Sequence, residues 1–282
     1  MASLLVRPTI LRALPTIALR SSNAVRAAKA SRMVPCVFAS SAARDEYAKT
    51  TKGPADSLEF RIFHNTKGTT VSAWHDVPLY AEDGTLHFVC EIPKETSAKM
   101  EMATDEVSNP IKQDIKKGKL RFYPYNINWN YGMLPQTWED PEHKNPDCFN
   151  AGGDNDPVDV VEIGSVACEM GGIYKVKPLG VYAMVDEGEV DWKVIAIRTD
   201  DPKANEVNDV EDVERVFPGE LTKILHWFRD YKIPDGKPAN EFGYDSKCLN
   251  KEFTMGVIEE THTFYNKLRS GARANTEEFA LY

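Results

Sequence analysis

Between residues 60 and about 194 the chain never runs apolar for long; short Val-, Ile-, Phe-, Tyr- and Trp-rich stretches alternate with Gly, Pro, Asn and Asp. That spacing predicts many short strands joined by turns. Seven segments fit: VSAWHDV, LHFVCEIP, KMEM, KLRFYPY, VDVVEIG, YKVKPLGVYAMV and DWKVIAI. A barrel or sandwich suits such a pattern better than regularly alternating strands and helices. Helical periodicity comes only afterwards. In NDVEDVERVFPGELTKILHWFRDY, Asn208 is the expected N-cap, with Glu211 three residues on. Pro218-Gly219 divides that segment, and Leu221, Ile224, Leu225 and Phe228 share one face of its second half. MGVIEETHTFYNKLRS, from Met255, is the last amphipathic helix. The expectation is one α+β, β-rich domain, residues 45–282, closed over by C-terminal helices.

Charge separates the first 44 residues from the rest. They hold seven basic residues (Arg7, Arg12, Arg20, Arg26, Lys29, Arg32, Arg44), no Asp or Glu, and much Ala and Ser. This is the composition of an organellar transit peptide, and Arg and Pro interrupt every candidate for a secretory apolar core. A disordered basic tail is the rival reading. The Ala-rich VRAAKAS…VFASSA segment favours a plastid stroma over the mitochondrial matrix as the destination. Beyond residue 44 the chain carries 27 Lys and Arg against 43 Asp and Glu, about −16 net. So acidic a body is a poor nucleic-acid binder. No apolar run approaches the ~18 residues of a membrane span. Its four cysteines, Cys90, Cys148, Cys168 and Cys248, form no C-x-x-C pair and are expected reduced.

The acid is concentrated. GGDNDPVDVVEIG puts Asp154, Asp156 and Asp159 directly before an apolar stretch. Carboxylates so close resist ionising together, so water or a bound cation must offset the crowding. In an extended segment Asp154 and Asp156 project to one side, and a bend at Pro157 can bring Asp159 round to join them. An Asp-rich turn is the plain alternative. A calcium EF-hand is excluded, because Asp159 and Ser165 stand where that loop needs Gly and Glu.

Other patches complement this one. MVDEGEVDWKVIAI offers Asp186, Asp191 and Lys193, with Glu187 and Glu189 read as solvated turn charges. EIPKETSAKMEM gives Lys99 and Glu101 on one face of a short strand, KLRFYPY gives Arg121, and FRDYKIPDGKP gives Tyr231 and Lys232 after a helix. There is no G-x-x-x-x-G-K-[ST], G-x-G-x-x-G or G-x-S-x-G motif. Oxygen donors beside Arg and Lys instead suit a hard cation bridging to phosphate.

The blocks VCEIP, AKME, KGKLRF, NYG, LPQTWEDP, GDNDPVDVVEIG, DEGEVDWKVIAI and FRDYKIPDGKP, in that order, closely resemble the soluble family I inorganic pyrophosphatases of eukaryotic type, over about residues 60–269. The resemblance implies a five-stranded, OB-like closed β-barrel with flanking helices. It implies Mg²⁺-dependent hydrolysis of pyrophosphate to two orthophosphates, by direct attack of a water held between metal ions. Several Mg²⁺ ions would serve each site, with Mn²⁺ or Zn²⁺ as substitutes. Asp154, Asp159 and Asp191 would bind the activating ions, Asp159 bridging two. Asp186 and Glu101 would hold ions arriving with substrate, and Asp156 would orient or deprotonate the water. Lys99, Arg121, Tyr131, Lys193, Tyr231 and Lys232 would hold the phosphates, with Glu91 in the supporting acidic shell.

One position departs from the family. Ile127 stands four residues before Tyr131, where the family usually has a tyrosine credited with contacting or protonating the leaving group, and Tyr125 is the nearest substitute considered. Family resemblance allows a homodimer or a monomer. The alternatives are a Mg²⁺-dependent phosphatase acting on another phosphorylated metabolite and a non-catalytic cation-binding paralogue.

Overall fold

The computed structural model describes residues 46–282. The leader, and with it the transit-peptide reading, lies outside the described residues. Five strands form the centre: β1 (Leu86–Ile92), β2 (Asn130–Met133), β3 (Asp159–Glu162), β4 (Ile173–Asp186) and β5 (Glu189–Arg198). β1 pairs antiparallel with β2 and β4, and β2 antiparallel with β3. β5 lies antiparallel to β4 and parallel to β3, so the pairing runs through all five strands and returns to its start. The architecture is β-rich α+β.

Local sequence explains these joints. β4 and β5 are a hairpin on Glu187-Gly188, both at positive φ (52° and 94°), as a two-residue turn matching strand twist requires. Gly132 lets β2 approach β1: a Cβ there would meet the Val89 carbonyl oxygen at 2.0 Å. Alternate residues of β5 enter two apolar clusters, Val190, Trp192, Val194 and Ala196 in one, Ile195 and Ile197 in the other. Both faces are therefore buried, which is why DWKVIAI reads as a continuous apolar run.

Around this centre lie a second antiparallel sheet (Ala48–Lys52, Arg61–Thr66, Ile111–Gln113, Met100–Met102, with Thr69–Val71 on its margin) and a two-strand ribbon, Thr96–Ala98 with Phe122–Ile127. Helices α1 (Val210–Val216), α2 (Glu220–Asp230) and α3 (Lys251–Ser270) follow. α2 buries Leu221, Ile224 and Phe228. Among the described residues no helix is long and apolar enough to cross a membrane, and Cys90, Cys148, Cys168 and Cys248 are free.

Several expectations shift. VSAWHDV is strand only up to Val71. Beyond it the Ser72 hydroxyl accepts the Trp74 and His75 N–H groups (3.1 and 3.0 Å), so the segment becomes a buried turn. α1 is capped by Asp209, not Asn208; its carboxylate accepts the Val210 N–H, while Asp212 reaches back to the Asn208 N–H (2.8 Å). α3 begins at Lys251, four residues before Met255, because Asn250 caps it through the Phe253 N–H (3.0 Å).

Candidate active site

One cavity of about 210 Å³ gathers residues from every part of the fold just described. The central strands contribute Glu91 from β1, Tyr131 from β2, Asp159 from β3, Asp186 from the end of β4, and Asp191 and Lys193 from β5. Lys99 and Glu101 come from the segment entering the second sheet, and Arg121 from the residue interrupting KLRFYPY between two short strands. Tyr231 and Lys232 follow the last turn of α2. Every residue to which the resemblance assigns a site role lines this cavity; Tyr125, the substitute for the missing tyrosine, does not.

DNDPVD turns rather than extends. Asn155 adopts φ 76°, and the Asp156 N–H bonds to the Asp154 carboxylate (3.1 Å). This is an Asx-type turn. The bend is at Asn155, not Pro157, and it points Asp154, Asp156 and Asp159 at one space. Turn chemistry and site chemistry are thus served by the same residues.

Side-chain bonds knit the cavity into three groups. At its floor the Lys193 ammonium, 2% exposed, donates to the Asp191 carboxylate, to Asp159 (2.5 Å) and to the Tyr131 hydroxyl (2.9 Å), and Tyr131 in turn donates to Asp159. On one wall Lys99 donates to Glu101 (2.9 Å) and Asp114 (3.1 Å), and Arg121 to Asp114 (2.7 Å). On the other, Lys232 donates to Asp186, with the Tyr231 hydroxyl 3.3 Å away. Backbone bonds brace the first wall: the Lys99 N–H to the Arg121 carbonyl (3.1 Å), and the Arg121 N–H to that of Asp114 (2.8 Å).

The electrostatics follow from crowding. Burial holds the Glu91 carboxyl well above the usual range, with Asp159 and Glu101 adding to it, although the Met102 N–H (2.8 Å) works the other way. Asp154 is likewise raised by burial, then by Asp191 and Asp156. Asp156, at the mouth, rises to about 7 as the wall displaces solvent and Glu101 faces it. Asp191 rises to about 7 through burial, against the pull of Lys193. Burial opposes the charge on Lys193, but Asp159 and Asp191 outweigh it and keep that ammonium firmly protonated.

Nine carboxyl groups line the cavity (Glu91, Glu101, Asp154, Asp156, Asp159, Asp186, Glu187, Glu189, Asp191) against four cations (Lys99, Arg121, Lys193, Lys232). Such a space repels a polyanion unless cations accompany it. The donors are all oxygen, with no His or Cys among them, and suit a hard cation. As the side chains stand, no three His, Cys, Asp or Glu groups among the described residues converge tightly enough to hold a metal ion. Lys193 occupies the position between Asp159 and Asp191 that such an ion would contest.

Sequence reading missed three contributors. Asp114 clamps Lys99 and Arg121, yet in KQDIKKGK it looks like a loop acid among lysines. Tyr123 lines the cavity at 7% exposure, whereas Tyr125 is 57% exposed and points elsewhere; Ile127 is fully buried. Tyr125 is therefore no substitute for the missing tyrosine. Glu139, from TWEDP, lies buried behind the wall, accepting the Trp192 N–H at 3.2 Å. Glu187 and Glu189 edge the cavity but are exposed, and Glu187 pairs with Lys237 (2.5 Å).

The model of the family described as inorganic pyrophosphatase matches residues 88–266. A relative from Chlamydomonas reinhardtii named soluble inorganic pyrophosphatase 1, chloroplastic, is 67% identical over 264 residues, 94% of each chain. The chain belongs to the inorganic pyrophosphatase family. It is thereby a hydrolase. Soluble inorganic pyrophosphatase 6, chloroplastic, of Arabidopsis thaliana is 62% identical over 218 residues, covering 77% of this chain and 73% of the other. With two such relatives, this pyrophosphatase is a plastid member of its family. In structure it resembles the type I inorganic pyrophosphatase of Toxoplasma gondii, with TM-score 0.76 and 43% identity over 79% of this chain and 99% of that one.

Proposed function

We propose that this chain hydrolyses inorganic pyrophosphate to two orthophosphates with the help of Mg²⁺. The surplus of carboxyl groups over cations in one cavity that also holds Arg, Lys and Tyr donors carries this reading. Anionic substrate must arrive with divalent countercharge, and the basic side chains then have phosphate oxygens to bind. The oxygen-only donor set fits Mg²⁺, with Mn²⁺ or Zn²⁺ as substitutes. Bound there, such ions supply countercharge to phosphate and acidify water.

Asp154, Asp159 and Asp191 are the residues that would hold the activating ions, Asp159 shared by two, while Asp186 and Glu101 would receive ions that come with substrate. Asp156, free at the cavity mouth, accepts the proton of the attacking water. Lys99, Arg121, Tyr131, Lys193, Tyr231 and Lys232 fix the phosphoryl oxygens and neutralise the charge that develops on them, Arg121 through its two-pronged guanidinium. Glu91 supports from below by holding the Met102 backbone. With water as nucleophile no covalent intermediate is needed. In this reading the closed circuit of β1–β5 is the five-stranded OB-like barrel, residues 45–282 are one catalytic domain, and residues 1–44 are a transit peptide.

The test compares phosphate release from pyrophosphate with that from nucleoside triphosphates, with and without Mg²⁺. Rapid Mg²⁺-dependent release from pyrophosphate is expected. Equal or faster release from triphosphates overturns the substrate assignment, and no release from either overturns hydrolysis.

A further inference from the structure

Three phenols line the cavity, and two of them are already tied to its carboxylates. Tyr131 donates to Asp159, and Tyr231 reaches Asp186. The hydroxyl of the third, Tyr123, makes no hydrogen bond to another described residue. Its ring is buried while its hydroxyl is not closed off, so that hydroxyl opens onto the polar cavity and takes its partner from whatever fills it.

Its position is fixed by the chain. The break at Arg121 sets the phase of the strand Phe122–Ile127, sending Phe122 (51% exposed) outward and Tyr123 (7% exposed) inward. The ring is held edge-on against Trp227 (5.0 Å, 83°) and Tyr231 (5.5 Å, 84°), so it has little freedom to leave. Lys99, Lys193 and Arg121 are its charged neighbours and Tyr231 its neighbour among the phenols. Burial raises the Tyr123 pKa above its ordinary value, more than the ammonium groups of Lys99 and Lys193 lower it, so the phenol keeps its proton at neutral pH and acts as a donor.

Resting on the pyrophosphate reading above, we infer that Tyr123 is a substrate-binding residue whose hydroxyl donates a hydrogen bond to a phosphoryl oxygen held between Lys99, Arg121 and Tyr231. It thereby supplies the phenol contact that Ile127, buried in the same strand, has no group to make.

Tyr123→Phe in the full-length protein tests this, because it deletes the oxygen and keeps the ring contacts. Three quantities are read: pyrophosphate hydrolysis at saturating Mg²⁺, calorimetric binding of imidodiphosphate with Mg²⁺, and thermal melting. The expected result is a roughly 10- to 100-fold loss in kcat/KM, a similar loss in imidodiphosphate affinity, and a melting temperature unchanged within about 2 °C. Tyr125→Phe, on the exposed side, serves as the control and should match wild type. Kinetics and binding within twofold of wild type overturn the assignment. A loss that scales with a lowered melting temperature also overturns it, by showing a structural role. Should wild type itself neither hydrolyse pyrophosphate nor bind imidodiphosphate, the functional reading falls and this inference with it; an active wild type beside an equally active Tyr123→Phe sinks only the inference.

Discussion

Asp159 and Lys193 stand directly opposite each other in the parallel pairing of β3 with β5, and the buried Lys193 ammonium forms an ion pair of 2.5 Å with the half-buried Asp159 carboxylate. A one-residue slip in that pairing would turn Lys193 to the other face of the strand. Lys193→Met leaves Asp159 and Asp191 without their shared cation. The variant should lose about 3 kcal/mol of stability in divalent-free buffer, and Mg²⁺ should restore more stability to it than it adds to wild type. Guanidinium unfolding with and without Mg²⁺ measures both effects.

Asp156 and Asp159 differ in their bonds, and their variants should differ in kind. The Asp156 backbone is tied to Asp154 through its N–H and to the Glu139 N–H through its carbonyl (3.0 Å), but its carboxylate bonds to no described residue. Asp156→Asn should therefore leave KM within a few-fold of wild type while kcat falls about 10²–10⁴-fold. With Asp159 as the ion ligand proposed above, Asp159→Asn should instead raise the Mg²⁺ needed for half-maximal rate by about tenfold or more, as loss of a direct ligand costs at least what loss of its support does. Steady-state rates across a Mg²⁺ series separate the two. Near-normal turnover in Asp156→Asn would remove it as the proton acceptor.

Asp114 clamps Lys99 and Arg121, the two cations proposed to hold phosphate, without entering the cavity. Asp114→Ala should raise KM about tenfold, with a smaller change in kcat, because Lys99 and Arg121 must then be ordered by substrate. Asp114→Glu should recover part of the loss. A KM unchanged in both variants would show that the cations need no clamp.

Outside the cavity lining, His75 is stacked on Trp74 (4.4 Å), with Nδ1 3.0 Å from the Tyr265 hydroxyl and Nε2 3.2 Å from the Ala280 carbonyl. Burial, helped by the charge of Arg269, lowers its pKa to about 4 from an ordinary 6.5. Between those values the unfolded chain takes up a proton that the native state refuses. The contribution is complete above about pH 6.5 and is lost as pH falls toward 4, to a total of roughly 3 kcal/mol. Unfolding free energy measured from pH 7 to 4 should therefore fall less steeply in His75→Gln than in wild type. Parallel slopes would place the acid sensitivity elsewhere.

The charged blocks were legible in the sequence because each sits where a strand or helix begins or ends, and acids and bases at such points have few reasons to cluster. Asp191 and Lys193 share a face by simple alternation, and the structure keeps them there. What alternation leaves undetermined is phase. KLRFYPY offers Phe122, Tyr123 and Tyr125 as inward candidates, and only the break at Arg121, a tertiary feature, selects Tyr123. Asp114 was invisible for another reason, since its partners Lys99 and Arg121 reach it through pairings no local pattern encodes. VSAWHDV misled because Trp and Val favour strands in general, while the Ser72 hydroxyl and the Asp76 carboxylate (2.7 Å to the Ser72 N–H) bind the local backbone into a turn.

The parallel contact of β3 with β5 spans the whole β4–β5 hairpin, so the circuit of strands cannot shut until the chain has been delivered past Arg198. Whenever the chain folds from its leading end, β3 must wait unpaired on that side while the hairpin follows. During that interval it presents a bare strand edge to its surroundings. Until β5 arrives that edge has no partner within the circuit, and only with β5 do the acids of the cavity meet Lys193, the lysine that keeps them together.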